Sequence, residues 1–152
     1  QDPVPSGNQT ITFNDVFGLA KDTGRSADPH LRQDLARLHT YARLGLWNAQ
    51  RAKATGDEAI ANLGKISQTR IVKTAARVGM SILSANGMLA AEDGAQGGRF
   101  AHAMVFSPAS SIYGGADEIQ RNIIAERTLG LPREILPGKG QPYGEVLKSI
   151  QR

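Results

Sequence analysis

Two long segments of this sequence place apolar or small residues at every third or fourth position, which is the spacing of one helix face. The first segment follows Asp28-Pro29 and ends at Gly56. Asp accepts hydrogen bonds from free helical amides, Pro is tolerated at the first helical position, and Gly favours a helix end. The pattern therefore predicts a helix over about residues 29–55, roughly 40 Å long. Its apolar face comprises Leu31, Leu35, Leu38, Ala42, Gly45 and Ala49.

The second long segment opens at Asp57 and ends near Asn86-Gly87. Small residues recur along it, although Gly inside a helix costs about 1 kcal/mol relative to Ala. Close packing against a neighbouring helix is the better reason for them. Its apolar face comprises Ile60, Leu63, Ser67, Ile71, Ala75, Val78 and Ile82, and its small residues include Gly64, Ala76, Gly79 and Ala85.

Shorter helices flank these two segments, and no run of residues alternates as a strand would. The patterns predict short helices over 13–21 and 99–106 and a final helix over 117–129, with a polar break at 22–27, a Gly-rich loop at 92–98 and a turn at Gly114-Gly115. We therefore expect an all-α fold, an antiparallel four-helix-type bundle with two long helices and shorter C-terminal helices. The predicted divisions are a linker at 1–12, the bundle at 13–134 and a tail at 135–152.

The first residues indicate a chain taken up partway along a longer protein. They lack an initiator Met, a basic start and an apolar middle, and their Pro, Gly and polar residues are typical of a linker. No apolar run approaches the roughly 18 residues that a membrane helix needs. With no cysteine, disulfides and thiolate sites are excluded, and residence in the cytoplasm is compatible with that.

The residue inventory also argues against several kinds of chemistry. There is no Glu-x-x-His pair, no His-Glu-x-x-His and no Walker-type loop, so we expect no metal site and no nucleoside triphosphate. The net charge of +4 comes from bases interleaved with acids, which favours a solvated surface over a nucleic-acid interface. The three histidines lie on separate segments without the spacing of metal ligands, so we interpret them as surface or structural residues: His30, His39 and His102. We interpret Tyr41 and Trp47 as packing residues.

The most informative stretch is the paired glycine ahead of the last helix, within residues 111–134. Glycines there let backbone amides approach a ligand closely, and the free amides of a helix start favour an anion or phosphate. A tight turn with no ligand would have the same sequence, so the residues alone leave both interpretations open.

This stretch resembles the closing motif of acyl-CoA dehydrogenases, in which a Gly-Thr-x-x-Ile-Gln-Arg turn leads the last helix. Here it reads Gly115-Ala-Asp-Glu-Ile-Gln-Arg121. Leu19-Ala-Lys-Asp-Thr-Gly-Arg25, with Asp28-Pro29 and the residues 32–36, is similar to the break and second bundle helix of bacterial members. The resemblance covers about residues 13 to 134.

The resemblance implies the C-terminal helical domain of an enzyme that also has an N-terminal helical domain and a middle β domain. Such enzymes are dimers or tetramers with FAD at subunit boundaries. They desaturate the α,β bond of an acyl-CoA thioester and pass electrons to an electron-transfer flavoprotein. This chain would then contribute FAD contacts and an oligomer interface, without being catalytically complete alone.

The resemblance also places the site residues, with departures from the family pattern. The usual base position is Gly114, so no catalytic residue is expected in this chain and the base is expected upstream of it. The turn Thr is Ala116, which leaves only backbone amides for the flavin. Asp117 and Glu118 are interpreted as surface carboxylates of the first helical turn, and Arg121 and Arg127 as packing residues. The expected cofactor-binding residues are Arg25, Asn86, Gly87, Gly115, Ala116 and Glu118, where Asn86 and Gly87 belong to a bend that reads Ser84-Ala-Asn-Gly87.

Two alternatives remain open at this stage. Gly at the base position and Ala at the Thr position would suit the degenerate subunit of a hetero-oligomeric acyl-CoA dehydrogenase. The same helix faces would also suit a non-catalytic helical interaction or oligomerisation module. Both alternatives share the expectation that the apolar faces exceed what one bundle can cover, so that the chain associates with a partner.

Overall fold

The chain folds as a set of helices in a computed structural model that describes residues 10–56, 58–89, 91–133, 138, 140–142 and 145–146. The described residues contain no β-strand, so the predicted all-α class is confirmed. The α-helices are α1 (Phe13–Asp22), α2 (Pro29–Thr55), α3 (Glu58–Leu83), α4 (Arg99–Phe106) and α5 (Asp117–Ile123).

Capping contacts define the start of α1 and both ends of α2. In α1, Thr12 Oγ1 accepts a hydrogen bond from the Asp15 amide at 3.3 Å, and Asp15 Oδ2 accepts one from the Thr12 amide at 2.8 Å. In α2, Asp28 Oδ1 accepts from the amides of His30 and Leu31. Gly56 ends α2 with a φ of 65°, a left-handed conformation that Gly adopts without steric cost. The predicted helix over 29–55 is thereby confirmed.

Helix α3 lies at the centre and contacts each of the other four helices. Its small residues permit this, since Ala75 and Ala76 are fully buried and the Phe100 ring of α4 packs directly on Gly79. The buried core also takes in Ile11, which precedes α1, so the packed unit includes the end of the predicted linker. Residues 1–9 and most of the predicted tail lie outside the described residues. The core cluster comprises Ile11, Val16, Leu19, Ala20, Leu31, Leu35, Leu38, Ala75, Val78, Ile82 and Phe100.

Two helix ends differ from the sequence-based boundaries. Helix α3 stops at Leu83, and a 3₁₀ turn, Ser84–Met88, follows it. Ser84 has a left-handed φ of 54°, which interrupts the helical ladder. The predicted final helix is α-helical only to Ile123, and Ile124–Thr128 widens into a π-helical turn in which the Leu129 amide donates to Ile124 O at 3.0 Å.

The outer half of the α2–α3 hairpin is far less covered than its inner half. On α2, Leu31, Leu35 and Leu38 are buried, whereas Leu44, Leu46 and Trp47 are exposed. The interpretation of Trp47 as a packing residue is therefore wrong within this chain, where the side chain is 52% exposed. Among the described residues, Arg43 lies over one face of the indole, 5.3 Å from its centroid, and the ring stays about half exposed.

Candidate functional site

The paired glycines form an exposed bend between the 3₁₀ turn Ser107–Ser111 and α5. Gly114 has a φ of 65° and Gly115 a φ of 91°, conformations that side-chain-bearing residues rarely adopt. A Cβ atom at Gly115 would also lie 2.7 Å from Gln120 Nε2. The left-handed φ therefore favours glycine at Gly115, whereas the Gln120 amide is the end of a flexible side chain that could shift, and both glycines are exposed.

Side chains of α3 hold the segment ahead of the bend. Lys65 Nζ donates hydrogen bonds to Ser110 O and, at 3.2 Å, to Thr69 Oγ1. Thr69 Oγ1 itself donates to Ser110 O at 2.9 Å. One turn further along α3, Lys73 Nζ donates to Ser111 Oγ. These contacts connect the bend to the central helix through a partly buried polar cluster.

Asp117 faces this cluster and does not lie on the surface. Its side chain is 13% exposed, and its Oδ1 lies 3.7 Å from Lys65 Nζ. The interpretation of Asp117 as a surface carboxylate is therefore wrong, because the first turn of α5 packs against α3. Glu118, the next residue, has a side chain that is 79% exposed, in agreement with its surface interpretation.

The pKa of Asp117 reflects opposing effects. Burial raises it, but the hydroxyls of Ser111 and Thr69 and the charges of Lys65 and Arg121 outweigh burial and hold the pKa below its ordinary value. A catalytic base for a weakly acidic C–H bond needs a raised pKa. Asp117 is consequently suited to holding the bend and poorly suited to abstracting a proton.

Two buried oxygens beside the bend accept no hydrogen bond from the described residues, namely Asp117 Oδ1 and Gln120 Oε1. Such groups usually find partners, since a buried polar atom without one costs free energy. The Lys65 ammonium compensates the Asp117 oxygen by charge. Gln120 lies under the bend with its amide nitrogen close to Gly115.

Lys65 also lies beside Gly114, the position that the resemblance identifies with the usual catalytic base. A Cβ atom placed there would lie 3.7 Å from Lys65 Cε. A carboxylate at this position would therefore meet an ammonium group, which lowers the pKa of a carboxyl and weakens it as a base.

The second group of candidate residues lies at the far end of α3. Arg25 Nη1 donates to Ser81 O at 2.8 Å, to Ile82 O at 2.9 Å and to Ser84 Oγ at 2.9 Å, and Nη2 lies 3.3 Å from Asp28 Oδ2. Arg25 thus satisfies the last carbonyls of α3.

The other members of this group differ in exposure. Gly87 is buried against Met80 and Leu83, while Asn86 is exposed. Thr69 and Ser84 are 15 residues apart on and beside one helix, which corresponds to roughly 22 Å. The structure therefore does not bring Arg25, Asn86 and Gly87 together with Gly115, Ala116 and Glu118.

Sequence reasoning missed the cluster that holds the bend. Lys65, Thr69 and Lys73 recur every fourth residue, so they form a polar stripe on α3 that could have been recognised. The partner of this stripe could not be predicted from the sequence, because Ser110 lies 41 residues after Thr69. Elsewhere in the described residues, no three His, Asp or Glu side chains could hold a metal ion together. None of the described helices is long and apolar enough to cross a membrane.

Comparison with known proteins gives the same family as the closing motif. The family pattern described as "Acyl-CoA dehydrogenase, C-terminal domain" matches residues 19–129. Acyl-CoA dehydrogenase IpdE1 of Mycolicibacterium smegmatis is 40% identical over 126 residues, and its counterpart of the same name from Mycobacterium tuberculosis is 34% identical over 128 residues. Each alignment covers 80% of this chain but only 31% or 32% of the relative, so the chain spans about a third of their length.

Two solved structures share the fold of this chain. The structure titled "Tcur3481-Tcur3483 steroid ACAD" superposes with a TM-score of 0.70 at 27% identity, covering 80% of this chain and 34% of that one. The ChsE4-ChsE5 complex from Mycobacterium tuberculosis superposes with a TM-score of 0.68, covering 82% and 37%. At 24% identity the latter shows the fold alone.

Proposed function

This chain belongs to the acyl-CoA dehydrogenase family, and from that premise we propose that it supplies flavin contacts and an oligomer interface to an FAD-dependent enzyme that desaturates acyl-CoA thioesters. The remaining domains of the parent enzyme, the acyl-CoA and an electron-transfer flavoprotein are the partners in this proposal. The isolated chain would be catalytically incomplete, since it spans about a third of its relatives.

The exposed Gly114-Gly115 bend is the observation that carries the proposal. Its backbone is open to solvent, its φ values are left-handed, and α3 anchors it through Lys65, Thr69 and Lys73. An anchored backbone with no covering side chain suits close approach by a large planar or phosphate-bearing group. The residues present fit such a group through main-chain amides, because Ala116 offers no hydroxyl.

Desaturation needs a base that takes the α hydrogen as a proton, while the bound flavin accepts the β hydrogen as hydride. Neither Gly114 nor Asp117 supports the base role, the first because it has no side chain and the second because its pKa is lowered. The base in this proposal therefore comes from another part of the parent enzyme or from another subunit. The role of this chain is to bind and orient.

Roughly 22 Å along α3 separates the residues at its other end from those at the bend, so the two groups would contact either different flavins or opposite ends of one extended dinucleotide. Arg25 is already engaged with the end of α3 and Asp28. Asn86 is the exposed member of this group and is the better candidate for direct contact. A site shared between protomers is consistent with this separation.

A degenerate subunit of a hetero-oligomeric enzyme is the second candidate, and Lys65 favours it. The ammonium beside the Gly114 position would hold down the pKa of a carboxylate placed there. Gly114 thus has no side chain that could act as a base, and Lys65 would weaken a carboxylate introduced there. In this reading the unlike partner subunit carries the base and the fuller flavin site.

Flavin titration of the full-length parent protein tests the first proposal. Gly115→Ala should weaken FAD binding by about tenfold or more, since an added methyl strains a left-handed bend and meets Gln120. Gly56→Ala is the matched control, because Gly56 also has a left-handed φ, of 65°, with open space around it, and it belongs to neither group of candidate flavin contacts. Equal FAD affinity in wild type and Gly115→Ala would refute the assignment of the bend.

Turnover by the parent protein alone separates the two candidates. We expect a degenerate subunit to oxidise no acyl-CoA with an artificial electron acceptor, and Gly114→Glu to restore no activity while Lys65 is present. Oxidation of acyl-CoA by the wild-type parent protein without a second protein would exclude the hypothesis that it is a degenerate subunit.

A further inference from the structure

The contact between Lys65 and Asp117 is an ion pair with little exposure beside the Gly114-Gly115 bend. Lys65 Nζ lies 3.7 Å from Asp117 Oδ1, and the two side chains are 19% and 13% exposed. Taking two charges out of water is costly, and well-packed apolar side chains in the same space are often as stable or more stable. Stability of the fold therefore does not by itself explain why two charges lie behind the bend.

The carbonyl ahead of the bend is already held without Asp117. Thr69 Oγ1 donates a hydrogen bond to Ser110 O at 2.9 Å, and Lys65 Nζ donates to the same oxygen. Asp117 Oδ1 accepts no hydrogen bond from the described residues, so its contact with Lys65 is one of charge. The effect of Asp117 on the ammonium is therefore mainly to cancel its positive charge.

Three other charged side chains near the bend are exposed to solvent. Glu118 and Arg121 lie 3.8 Å from each other, and both are exposed. Lys73, which donates a hydrogen bond to Ser111 Oγ, is exposed as well. Water and dissolved salt screen exposed charges more strongly than partly buried ones. Of these five charges, those of Lys65 and Asp117 are the ones that solvent screens least.

A ligand that contacts the bend would lie close to this ion pair. A Cβ atom placed at Gly114 would be 3.7 Å from Lys65 Cε, so the lysine side chain lies directly beside the backbone of the bend. At about 10 Å and an effective dielectric constant of about 20, one unit charge changes the affinity for another by about tenfold. The ammonium is therefore near enough to bias the binding of a charged ligand, unless Asp117 cancels its charge.

We propose that Asp117 controls the balance between oxidised and reduced flavin by cancelling the charge of Lys65, an inference that rests on the proposed flavin contact at the bend. A hydride brings one negative charge to a neutral flavin ring. An uncompensated ammonium beside the bend would therefore bind reduced FAD more tightly than oxidised FAD. Paired with Asp117, Lys65 holds Ser110 O without this bias. Asp117 acts through Lys65, so it is a positioning residue and not a catalytic one.

The test compares the affinities of the full-length parent protein for the two oxidation states of FAD. Protein freed of flavin is titrated without oxygen, once with oxidised FAD and once with FAD reduced by dithionite. Asp117→Asn keeps the shape of the side chain and leaves the Lys65 charge uncancelled, so it should change the ratio of the two dissociation constants by about tenfold in favour of reduced FAD. This change corresponds to a rise of about 30 mV in the two-electron midpoint potential. A purely mechanical role of Asp117 would weaken both affinities equally.

Two further variants assign the effect to the charge of Lys65. The double variant Lys65→Met/Asp117→Asn removes a pair that is neutral as a whole, so its ratio should return to within about twofold of wild type. Asp34→Asn is the matched control, because Asp34 is also partly buried and pairs with a base of α3, Arg77, at 3.1 Å. Arg77 lies roughly 18 Å from Lys65 along α3, beyond the Debye length of about 8 Å, so this ratio should also stay within about twofold.

An unchanged ratio in Asp117→Asn would overturn the inference and leave the proposed flavin contact standing. An equal shift in Asp34→Asn would also overturn it, because the net charge of the protein would then explain the effect. A shift that persists in the double variant would exclude Lys65 as its source. Failure of the parent protein to bind FAD in either oxidation state would overturn the proposed function and this inference with it. The first three outcomes concern the ratio and the last concerns binding itself, so the two failures are distinguishable.

Discussion

Replacement of Gly79 by alanine should destabilise the fold, although alanine is the better helix former. A Cβ atom at Gly79 would lie 2.6 Å from Cε1 of Phe100 and closer still to Cδ1. Carbon atoms pack favourably at about 3.5 to 4.0 Å, so the ring would have to move by about 1 Å. Phe100 is fully buried in the core and has no solvent-facing space to move into.

The magnitude follows from two opposing effects. Alanine gains about 1 kcal/mol in helix propensity over glycine. Overpacking a well-filled core costs about 1 to 3 kcal/mol, and the depth of this overlap favours the upper end. We expect Gly79→Ala to lower the free energy of unfolding by about 1 to 2 kcal/mol.

Gly64 provides a matched control in the same helix, since no atom lies within 4 Å of a Cβ placed there. Gly64→Ala should therefore raise the free energy of unfolding by up to about 1 kcal/mol. Urea denaturation followed by circular dichroism measures both variants, whose midpoints should differ by about 1 to 2 M. The double variant Gly79→Ala/Phe100→Leu should recover part of the loss. If Gly79→Ala proved as stable as Gly64→Ala, the account of close packing between α3 and α4 would be incorrect.

Substitutions at three further positions test the polar cluster, the cap of α2 and the end of α3. Asp117 has a lowered pKa in the fold, so its ionised form contributes stability at pH values above the ordinary carboxyl pKa of about 3.9, and this stability is lost as the pH falls through the lower folded pKa. Asp117→Asn should therefore make the free energy of unfolding less dependent on pH below about 4. An unchanged acid unfolding curve would count against the contact with Lys65. Asp28 also has a lowered pKa, mainly because the Leu31 amide donates to it, and Asp28→Asn should flatten the same acid limb while keeping the helix cap. Ser84→Ala should destabilise the fold by about 1 kcal/mol, because it loses the hydrogen bond from Arg25 and keeps the left-handed φ. Ser84→Gly relieves the backbone strain and should unfold at a higher temperature than Ser84→Ala. The reverse order of the two variants would contradict the strain at Ser84.

The helices themselves could be predicted closely from the sequence. Asp28-Pro29 and Gly56 bound α2 at the predicted residues, and residues 99–106 form α4 as expected. These boundaries depend on side chains that cap the nearest backbone groups, which are local in sequence. The end of α3 was less predictable, because the conformation of Ser84 is supported by Arg25, 59 residues earlier.

Only part of the candidate site could be predicted from the sequence. The location of the bend at Gly114-Gly115 and the exposure of Glu118 followed from the residues, and the assignment of flavin contacts to Arg25, Asn86, Gly87, Gly115, Ala116 and Glu118 stays a prediction. The partly buried position of Asp117 and the roles of Lys65 and Thr69 did not follow, because these contacts join α3 to residues some 40 or more positions later in the chain.

The sequence by itself determined the helical class and the family, because helical periodicity, capping residues and a closing motif depend on residues that are neighbours in the chain. Only the tertiary structure decided which face of each helix is covered. It placed Asp117 against Lys65 with little exposure and left Trp47 about half exposed, because burial depends on which helices reach a given part of the hairpin.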